Sequence, residues 1–345
     1  MSPSKTPRLV ALAASGVLLI SCGGHGSQPG ASSPPATRPA ATASTASPAP
    51  ATPTSTPSPP ARLVAHVAPW QLPAARSREV ALATAGGLVV AGGLSSAKVS
   101  TSTVWSLSAA NGRAAHTGSL ATAVHDAAGF VVGRTAFVVG GGNTSTVDDV
   151  QEIATEGSAQ VVGHLPQPRS DLSAASVEGA GYALGGFDGT ASLAAVLRTA
   201  DGRRFSTVAQ LPVTVRYAAV AAVAAAGGDD LLVFGGEHDG VAIDDVQQVD
   251  LKTGRARIIG HLPHPLAHEG AAVLGDSVWL LGGRSHDQLQ SAIWRWDPTR
   301  RRAVAAGRLP YAVADAGVAV IGSTAYVLGG ETPDPTARVI VVAPR

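Results

Sequence analysis

The chain has 345 residues, of which 45% are hydrophobic and only 4% aromatic, and its formal net charge at pH 7 is +1. Three basic residues and no acidic residue precede Arg62, so the remainder carries 22 basic and 24 acidic side chains, a net charge of −2. A near-neutral body lacks the basic footprint of nucleic-acid-binding proteins, and we expect no nucleic acid partner. The single cysteine, Cys22, excludes a disulfide framework within the chain.

Residues 1–21 have the pattern of an export signal. Two basic residues precede an apolar run of about a dozen residues, which is too short to span a bilayer as a mature helix. The run ends in the letters LIS directly before Cys22, and this segment resembles the lipobox of bacterial lipoproteins. The resemblance implies cleavage before Cys22, lipidation of its thiol, and anchoring to the outer face of the bacterial cytoplasmic membrane. A plain secretory signal with a free thiol is the alternative.

Residues 22–61 consist mainly of Ser, Thr, Pro, Ala and Gly. Such a composition cannot bury a core, and we predict a disordered, partly polyproline linker that could extend on the order of 100 Å. The predicted division is therefore a signal peptide over 1–21, the lipidated cysteine and linker over 22–61, and a folded domain over 62–345.

Two markers repeat along the folded part. Double glycines follow apolar runs and end at Gly93, Gly141, Gly186, Gly236, Gly283 and Gly330, with gaps of 48, 45, 50, 47 and 47 residues. A second marker, mostly written LP, has the same period and places its leucines at Leu72, Leu120, Leu165, Leu211, Leu262 and Leu309. Regular spacing of this kind indicates a repeat architecture.

Each unit contains four candidate strands. The strand that ends in the double glycine is the second, and turn dipeptides such as Asn111-Gly112 and Asp201-Gly202 join the third to the fourth. Four antiparallel strands in about 47 residues, repeated radially, are typical of a β-propeller blade. The glycine pair after a hydrophobic run resembles the kelch repeat of the galactose oxidase and kelch-type propellers. The family's aromatic residues are mostly missing, although Trp105 and Trp296 lie in third strands.

The last unit lacks a fourth strand, and the segment at about 62–68 supplies one at the other end of the chain. This segment is followed by an LP marker, as every fourth strand is. We predict that it pairs with the chain near Arg338 to Ala343 and closes an all-β, six-bladed kelch-type propeller. Closure would remove the two exposed sheet edges that an open ring leaves.

The loops that join one unit to the next carry charged residues. Aligned by repeat they place an acidic residue second in five of six units, and we expect them to surround the mouth of the central channel. The predicted ligand-binding face comprises Arg78, Glu79, His125, Asp126, Arg169, Asp171, Arg216, Tyr217, His268, Glu269 and Asp315. The alternative is structural: each acid would accept backbone N–H groups from a neighbouring blade. No twelve-residue calcium loop occurs, and we predict neither a metal site nor a cofactor.

These observations favour an extracytoplasmic, membrane-anchored monomer that binds an unknown protein or a cell-envelope glycan. No GxSxG, HExxH or phosphate-loop motif occurs, and galactose oxidase chemistry requires a cysteine that is absent from the folded part. The alternative is a sugar-active isomerase resembling the kelch-type sialic acid epimerases. That resemblance would assign acid–base and sugar-binding roles to Glu79, Arg216 and Glu269.

Overall fold

The computed structural model describes residues 62–225 and 228–345. Within these ranges the regular secondary structure consists of β-strands only. The predicted signal peptide and linker lie outside the described residues. No helix capable of crossing a membrane occurs within the described ranges. The described part of the chain contains twenty-eight strands, and all but four short ones belong to six antiparallel groups of four, which we call sheets 1 to 6.

The first three sheets follow one another in the chain. Sheet 1 contains β2 (Val80–Thr84), β3 (Gly87–Ala91), β4 (Thr101–Leu107) and β5 (Ala114–Val124). Sheet 2 contains β6 (Ala128–Val132), β7 (Thr135–Val139), β8 (Asp149–Ile153) and β9 (Ala159–His164). Sheet 3 contains β10 (Ser173–Val177), β11 (Ala180–Leu184), β12 (Ala195–Thr199) and β13 (Ser206–Gln210).

The other three sheets have the same order of strands. Sheet 4 contains β14 (Ala219–Ala225), β15 (Gly228–Phe234), β18 (Asp245–Asp250) and β19 (Arg255–His261). Sheet 5 contains β20 (Gly270–Leu274), β21 (Ser277–Leu281), β24 (Ala292–Asp297) and β25 (Arg302–Arg308). Sheet 6 contains β26 (Gly317–Ile321), β27 (Thr324–Leu328), β28 (Thr336–Pro344) and β1 (Leu63–Arg76). Two small hairpins, β16 (Glu237–His238) with β17 (Val241–Ala242) and β22 (Arg284–Ser285) with β23 (Gln288–Leu289), occupy connections from second to third strands.

Sheet 6 is made from both ends of the folded chain. β1 pairs antiparallel with β28, with Val64 opposite Ala343 and Val67 opposite Ile340. The predicted pairing of the first strand with the last is therefore confirmed. β1 extends to Arg76, beyond the expected 62–68, because two register shifts let the strand continue past the LP marker.

The sheets pack face to face around a common set of first strands. The first strand of each sheet contacts the first strands of the sheets before and after it, and β26 of sheet 6 contacts β2 of sheet 1. Six hydrophobic clusters fill the six gaps between successive sheets. The second strands are buried almost throughout because both of their faces are covered, so their sequences are continuous apolar runs rather than alternating ones. The fold is all-β and propeller-like.

The double glycines allow the connections between sheets to pass close to the second strands. At Gly235 and Gly236 the backbone has φ of +52° and +88°, a region that favours glycine. A Cβ at Gly235 would lie 2.2 Å from the Leu266 carbonyl oxygen, and one at Gly236 would lie 2.7 Å from that of Arg216. The pair is thus enclosed by the chain entering its own sheet and the chain leaving it.

The glycine before the LP marker has a separate role in packing one sheet against the next. An ideal Cβ on Gly260 in β19 would lie 2.1 Å from the carbonyl oxygen of Arg301, in the hairpin that joins the third and fourth strands of sheet 5. Glycines at the same place in sheets 1 and 2, Gly118 and Gly163, approach the next hairpin in the same way. This close approach sets the spacing of neighbouring sheets at their outer edge.

We expect Gly260→Ala to lower the free energy of unfolding by about 1–3 kcal/mol, because the added methyl group overlaps backbone that cannot rotate away. Urea denaturation measures the change. Gly86→Ala is the matched control, since its Cβ would meet only Thr84 Oγ1 at 3.8 Å. Equal stability of the two variants would show that sheets 4 and 5 can move apart at Gly260 without a loss in the free energy of unfolding.

Candidate functional site

A closed ring of six backbone hydrogen bonds lies where the chain enters each sheet. Each ring residue donates its N–H to the carbonyl of the ring residue in the preceding sheet, at 2.7–3.1 Å. All six have φ between 52° and 61°, the left-handed region that non-glycine residues rarely adopt. The ring residues are Arg78, Asp126, Asp171, Tyr217, His268 and Asp315.

The ring changes the alignment of the loops that the sequence suggested. In sheets 1 and 5 the ring residue is the basic Arg78 or His268, not the glutamate that follows it. Acidic residues therefore occupy three of the six ring positions. The prediction of an acidic residue at the same position in five of six units is wrong. The expectation failed because the loop sequences were aligned on their charges, whereas backbone hydrogen bonds define the register.

The side chains of the ring face one shallow cavity of about 120 Å³. Arg78 Nη1 donates to Asp126 Oδ2 at 2.9 Å and to the Tyr217 hydroxyl at 3.3 Å, and its Nε lies 3.4 Å from Glu331 Oε1. Although partial burial lowers the pKa of Arg78, the carboxylates of Asp126 and Asp315 raise it above its ordinary value. Arg78 therefore remains a permanent cation that crosses the cavity.

His268 is held between two carboxylates. Its Nδ1 lies 2.6 Å from Asp315 Oδ1 and its Nε2 lies 3.4 Å from Glu237 Oε1. Burial lowers the pKa of His268, but the hydrogen bonds to the two acids raise it overall to about 9. The imidazole stacks on the Tyr217 ring with centroids 4.0 Å apart. At neutral pH the site therefore contains an imidazolium against an aromatic face.

A second tier of residues, directly after each double glycine, surrounds the cavity. In sheets 4, 5 and 6 these are Glu237, Arg284 and Glu331, and in sheets 1, 2 and 3 they are Leu94, Gly142 and Phe187. Sequence analysis did not assign Arg284 or Glu331 to the site. Their position after the double glycine was the available signal. One half of this second tier is consequently charged and the other half is apolar or small.

Two further arginines complete the charged half. Arg284 Nη2 donates to Glu331 Oε2 at 2.5 Å, and its Nε lies 3.4 Å from Asp315 Oδ2. Arg216 Nε donates to Glu237 Oε2 at 3.0 Å, and its guanidinium lies 5.3 Å from the centroid of the Phe187 ring. Arg78 and Arg284 thus both lie within 4 Å of the carboxylates of Asp315 and Glu331.

Acidic and basic groups at the mouth lie at different depths. The arginine side chains keep 23–25% of their surface exposed, whereas those of Asp126, Asp171, Asp315 and Glu331 keep only 4–9%. Glu237 is the exception among the carboxylates, with 18% of its side chain exposed. The carboxylates therefore lie beneath the guanidinium groups that they orient. The surface presented to solvent is cationic, although the cluster as a whole is close to balanced.

Protonation of two ring aspartates adjusts this balance. Burial raises the pKa of Asp126 to about 7 despite the nearby Arg78. Burial also raises the pKa of Asp171, against hydrogen bonding from Tyr217 and attraction by Arg216. The mouth consequently gains positive charge as the pH falls from about 8 to about 6.

The two glutamates after the ring residues point into the gaps between sheets. Glu79 Oε1 accepts a hydrogen bond from the backbone N–H of Gly317 at 3.2 Å, across the boundary with sheet 6. Neither carboxyl oxygen of Glu269 has a hydrogen-bond partner among the described residues. Burial is the main reason that the pKa of each rises to about 8. Glu79 matches the structural alternative that the sequence left open.

The remaining residues of the predicted face are separated from the cavity. Arg169 is almost fully buried and donates through Nη1 to the carbonyls of Gly185 and Ala195, so it stabilises its own sheet. His125 does not line the cavity: its Nδ1 is 2.8 Å from Ser100 Oγ, and its Nε2 lies 3.7 Å from Asp126 Oδ2. A charged residue next to the ring in sequence is thus not necessarily part of the mouth.

Two partly exposed Asp–Asp–His clusters lie at the outer edge of sheets 2 and 4, at equivalent positions. They are Asp148, Asp149 and His164 in sheet 2 and Asp244, Asp245 and His261 in sheet 4, and the donor atoms in each lie within 4.8 Å of one another. These donors could hold a divalent cation. The separations of 3.3–3.6 Å between histidine Nδ1 and the carboxylates are equally those of exposed ion pairs.

Comparisons with known proteins bear on the fold alone. No family model matches the chain, and no curated protein matches its sequence. The solved structure of YjhT is similar to this chain with a TM-score of 0.65 and 16% sequence identity, over 79% of this chain and 94% of that chain. At this low identity, the similarity supports a propeller-like all-β fold.

We expect Glu269→Gln to stabilise the protein increasingly as the pH rises. The carboxyl group ionises near pH 4.5 when unfolded but near pH 8 when folded, so wild-type stability decreases between these values and levels off above pH 8. The variant lacks this loss, and its advantage should grow from near zero at pH 4 to a few kcal/mol at pH 8.

Urea denaturation across this pH range tests the expectation. Glu156→Gln, at an exposed hairpin position, serves as the matched control and should show a constant difference from wild type. A pH-independent difference for Glu269→Gln would mean that the buried carboxyl is already ionised in the folded protein.

Proposed function

We propose that the chain is a six-bladed, kelch-type propeller whose mouth binds an anionic group of a cell-envelope glycan or protein. The observation that carries this proposal is the layered arrangement of charge, with guanidinium groups exposed above buried carboxylates. Arginine groups oriented in this way suit carboxylate or phosphate oxygens because the planar fork donates two parallel hydrogen bonds. The apolar half of the second tier, with Phe187, would cover the uncharged part of such a ligand.

The same layering favours binding over catalysis. An acid–base catalyst requires an unpaired carboxyl group that reaches the substrate, with a pKa near the working pH. The ring and second-tier carboxylates are paired with Arg78, Arg216, His268 or Arg284. Glu79 and Glu269, whose pKa values are also raised, line the cavity but are buried. The ring and second-tier carboxylates are therefore held in ion pairs, which favours presentation of charge over transfer of protons.

The N-terminal part of the proposal concerns location. The lipobox-like segment before Cys22 and the linker over 22–61 support a monomer tethered to the outer face of the cytoplasmic membrane. A linker of this length would let the mouth reach ligands within the cell wall. Metabolic labelling with a fatty acid analogue tests this part separately, because Cys22→Ser should abolish labelling and membrane association.

A sugar-active isomerase is the second candidate, and one observation favours it. His268, Asp315, Glu237 and Tyr217 form a connected set of proton donors and acceptors facing one cavity. Incubation with anomeric and epimeric sugars, followed by NMR, would detect turnover. Turnover that is lost in His268→Gln or Glu269→Gln would replace the binding function with catalysis.

We expect Arg284→Gln to weaken binding of acidic sugars at least tenfold, because it removes an exposed cation and leaves Asp315 and Glu331 with less compensation. Titration calorimetry with N-acetylneuraminate and glucuronate, against neutral N-acetylglucosamine, measures the effect. The affinity of the wild type should also decrease between pH 6 and pH 8 as Asp126 ionises.

Arg308→Gln is the matched control, since Arg308 is exposed on an outer strand and bonds only to Ser291 Oγ among the described residues. It should leave affinity unchanged. Equal binding by Arg284→Gln and wild type, with both folded, would exclude the mouth as the anion site.

A further inference from the structure

A second cationic surface lies at the opposite end of sheets 4 and 5 from the mouth. The mouth is formed by connections between second and third strands and between sheets, so the hairpins that join third to fourth strands lie at the other end. Arg255 and Arg257 begin β19 at this end. Arg301 lies in the hairpin of sheet 5 between β24 and β25. We call the surface formed by these three arginines the basic groove.

Backbone packing brings the two parts of the basic groove together. His261 at the end of β19 forms a parallel bridge with Arg302, and the absence of a side chain on Gly260 lets the Arg301 carbonyl approach. Arg257 and Arg301 consequently line the same cavity of about 260 Å³ between the sheets. An adjoining depression of about 500 Å³ is lined by Arg255 and Arg257 together with Asp230 and Asp250.

The arginines of the basic groove lack acidic partners. None of the three has a carboxylate oxygen within 4.0 Å among the described residues, whereas the neighbouring Arg300 pairs with Asp297 at 2.9 Å. Arg257 is instead oriented by Gln248 Oε1, which accepts from its Nε and Nη2 at 3.0 and 2.9 Å. All three arginines are exposed.

Two acids, Asp230 and Asp250, also line these cavities, but the side-chain hydrogen bonds of each go to partners other than the arginines. Asp230 is buried and accepts a hydrogen bond from Gln248 Nε2 at 2.5 Å. Asp250 accepts from the backbone N–H groups of Lys252 and Thr253 and so closes its own hairpin. This differs from the mouth, where every arginine is paired.

We infer that the basic groove binds a linear anionic polymer with repeated phosphate groups. Unpaired, exposed guanidinium groups are suited to bidentate contacts with phosphate oxygens. The shape favours a chain over a membrane surface, because the cations line a groove between two sheets and two adjoining cavities continue along it. The net negative charge of the surrounding domain disfavours a broad nucleic acid interface. This inference is independent of the mouth.

Binding of long-chain inorganic polyphosphate to residues 62–345 and to the full chain tests the inference. We expect saturable binding that weakens steeply with salt, as counterion release requires. The double variant Arg257→Gln/Arg301→Gln should bind at least tenfold more weakly, with a slope of log affinity against log salt that is smaller by about one to two. Arg257→Lys/Arg301→Lys keeps the charge and should retain most of the affinity.

The matched control is Arg203→Gln/Arg308→Gln, which removes the same charge from exposed positions elsewhere and should bind as wild type does. Vesicles of anionic phospholipid and a single-stranded oligonucleotide provide the alternative partners. Capture by either of them at least as tight as that of polyphosphate would overturn the inference. Equal loss of affinity in the control and groove variants would overturn it as well, because binding would then reflect general electrostatic attraction and not the groove.

Discussion

The ring of six backbone hydrogen bonds fixes the positions of the six residues whose side chains face the cavity of the candidate site. Side chains at the mouth come from loops, which are usually the most variable and mobile parts of a fold. Here each loop is tied to the loops before and after it through main-chain atoms, independently of side-chain identity. The six ring residues can therefore differ in chemistry while their Cα–Cβ directions remain alike. An asymmetric set of side chains is displayed on a nearly symmetric frame.

That frame allows oppositely charged groups to be separated by depth. Short aspartates on the ring stay buried, and the longer arginines extend over them from the ring and from the second tier. Because burial strengthens electrostatic interactions, the hidden acids hold the guanidinium groups in place more firmly than exposed ion pairs would. A ligand would then meet donors whose orientation is already set, which reduces the entropy lost on binding.

Much of the fold could be predicted from spacing alone, because the double glycines and the LP leucines serve backbone and packing requirements common to all sheets. The site was less predictable. Arg169 has a charged sequence context like that of the site residues but is buried in its own sheet. Arg284 and Glu331 directly follow double glycines, and those glycines indicated the repeat rather than the site. Glu79 and Glu269 were aligned one position away from their true equivalents. Loop register depends on hydrogen bonds of main-chain atoms, which leave little trace in residue type.

The seam between β1 and β28 also has a consequence for the order of events in folding. Sheets 1 to 5 each form from one continuous stretch of chain, but sheet 6 joins segments separated by almost the whole domain. Such non-local contacts form slowly because a long loop must first be closed. The final sheet therefore cannot assemble until the carboxyl-terminal strand has been synthesised. Until then β1 has no partner strand, and a partly made chain must be kept from pairing with others.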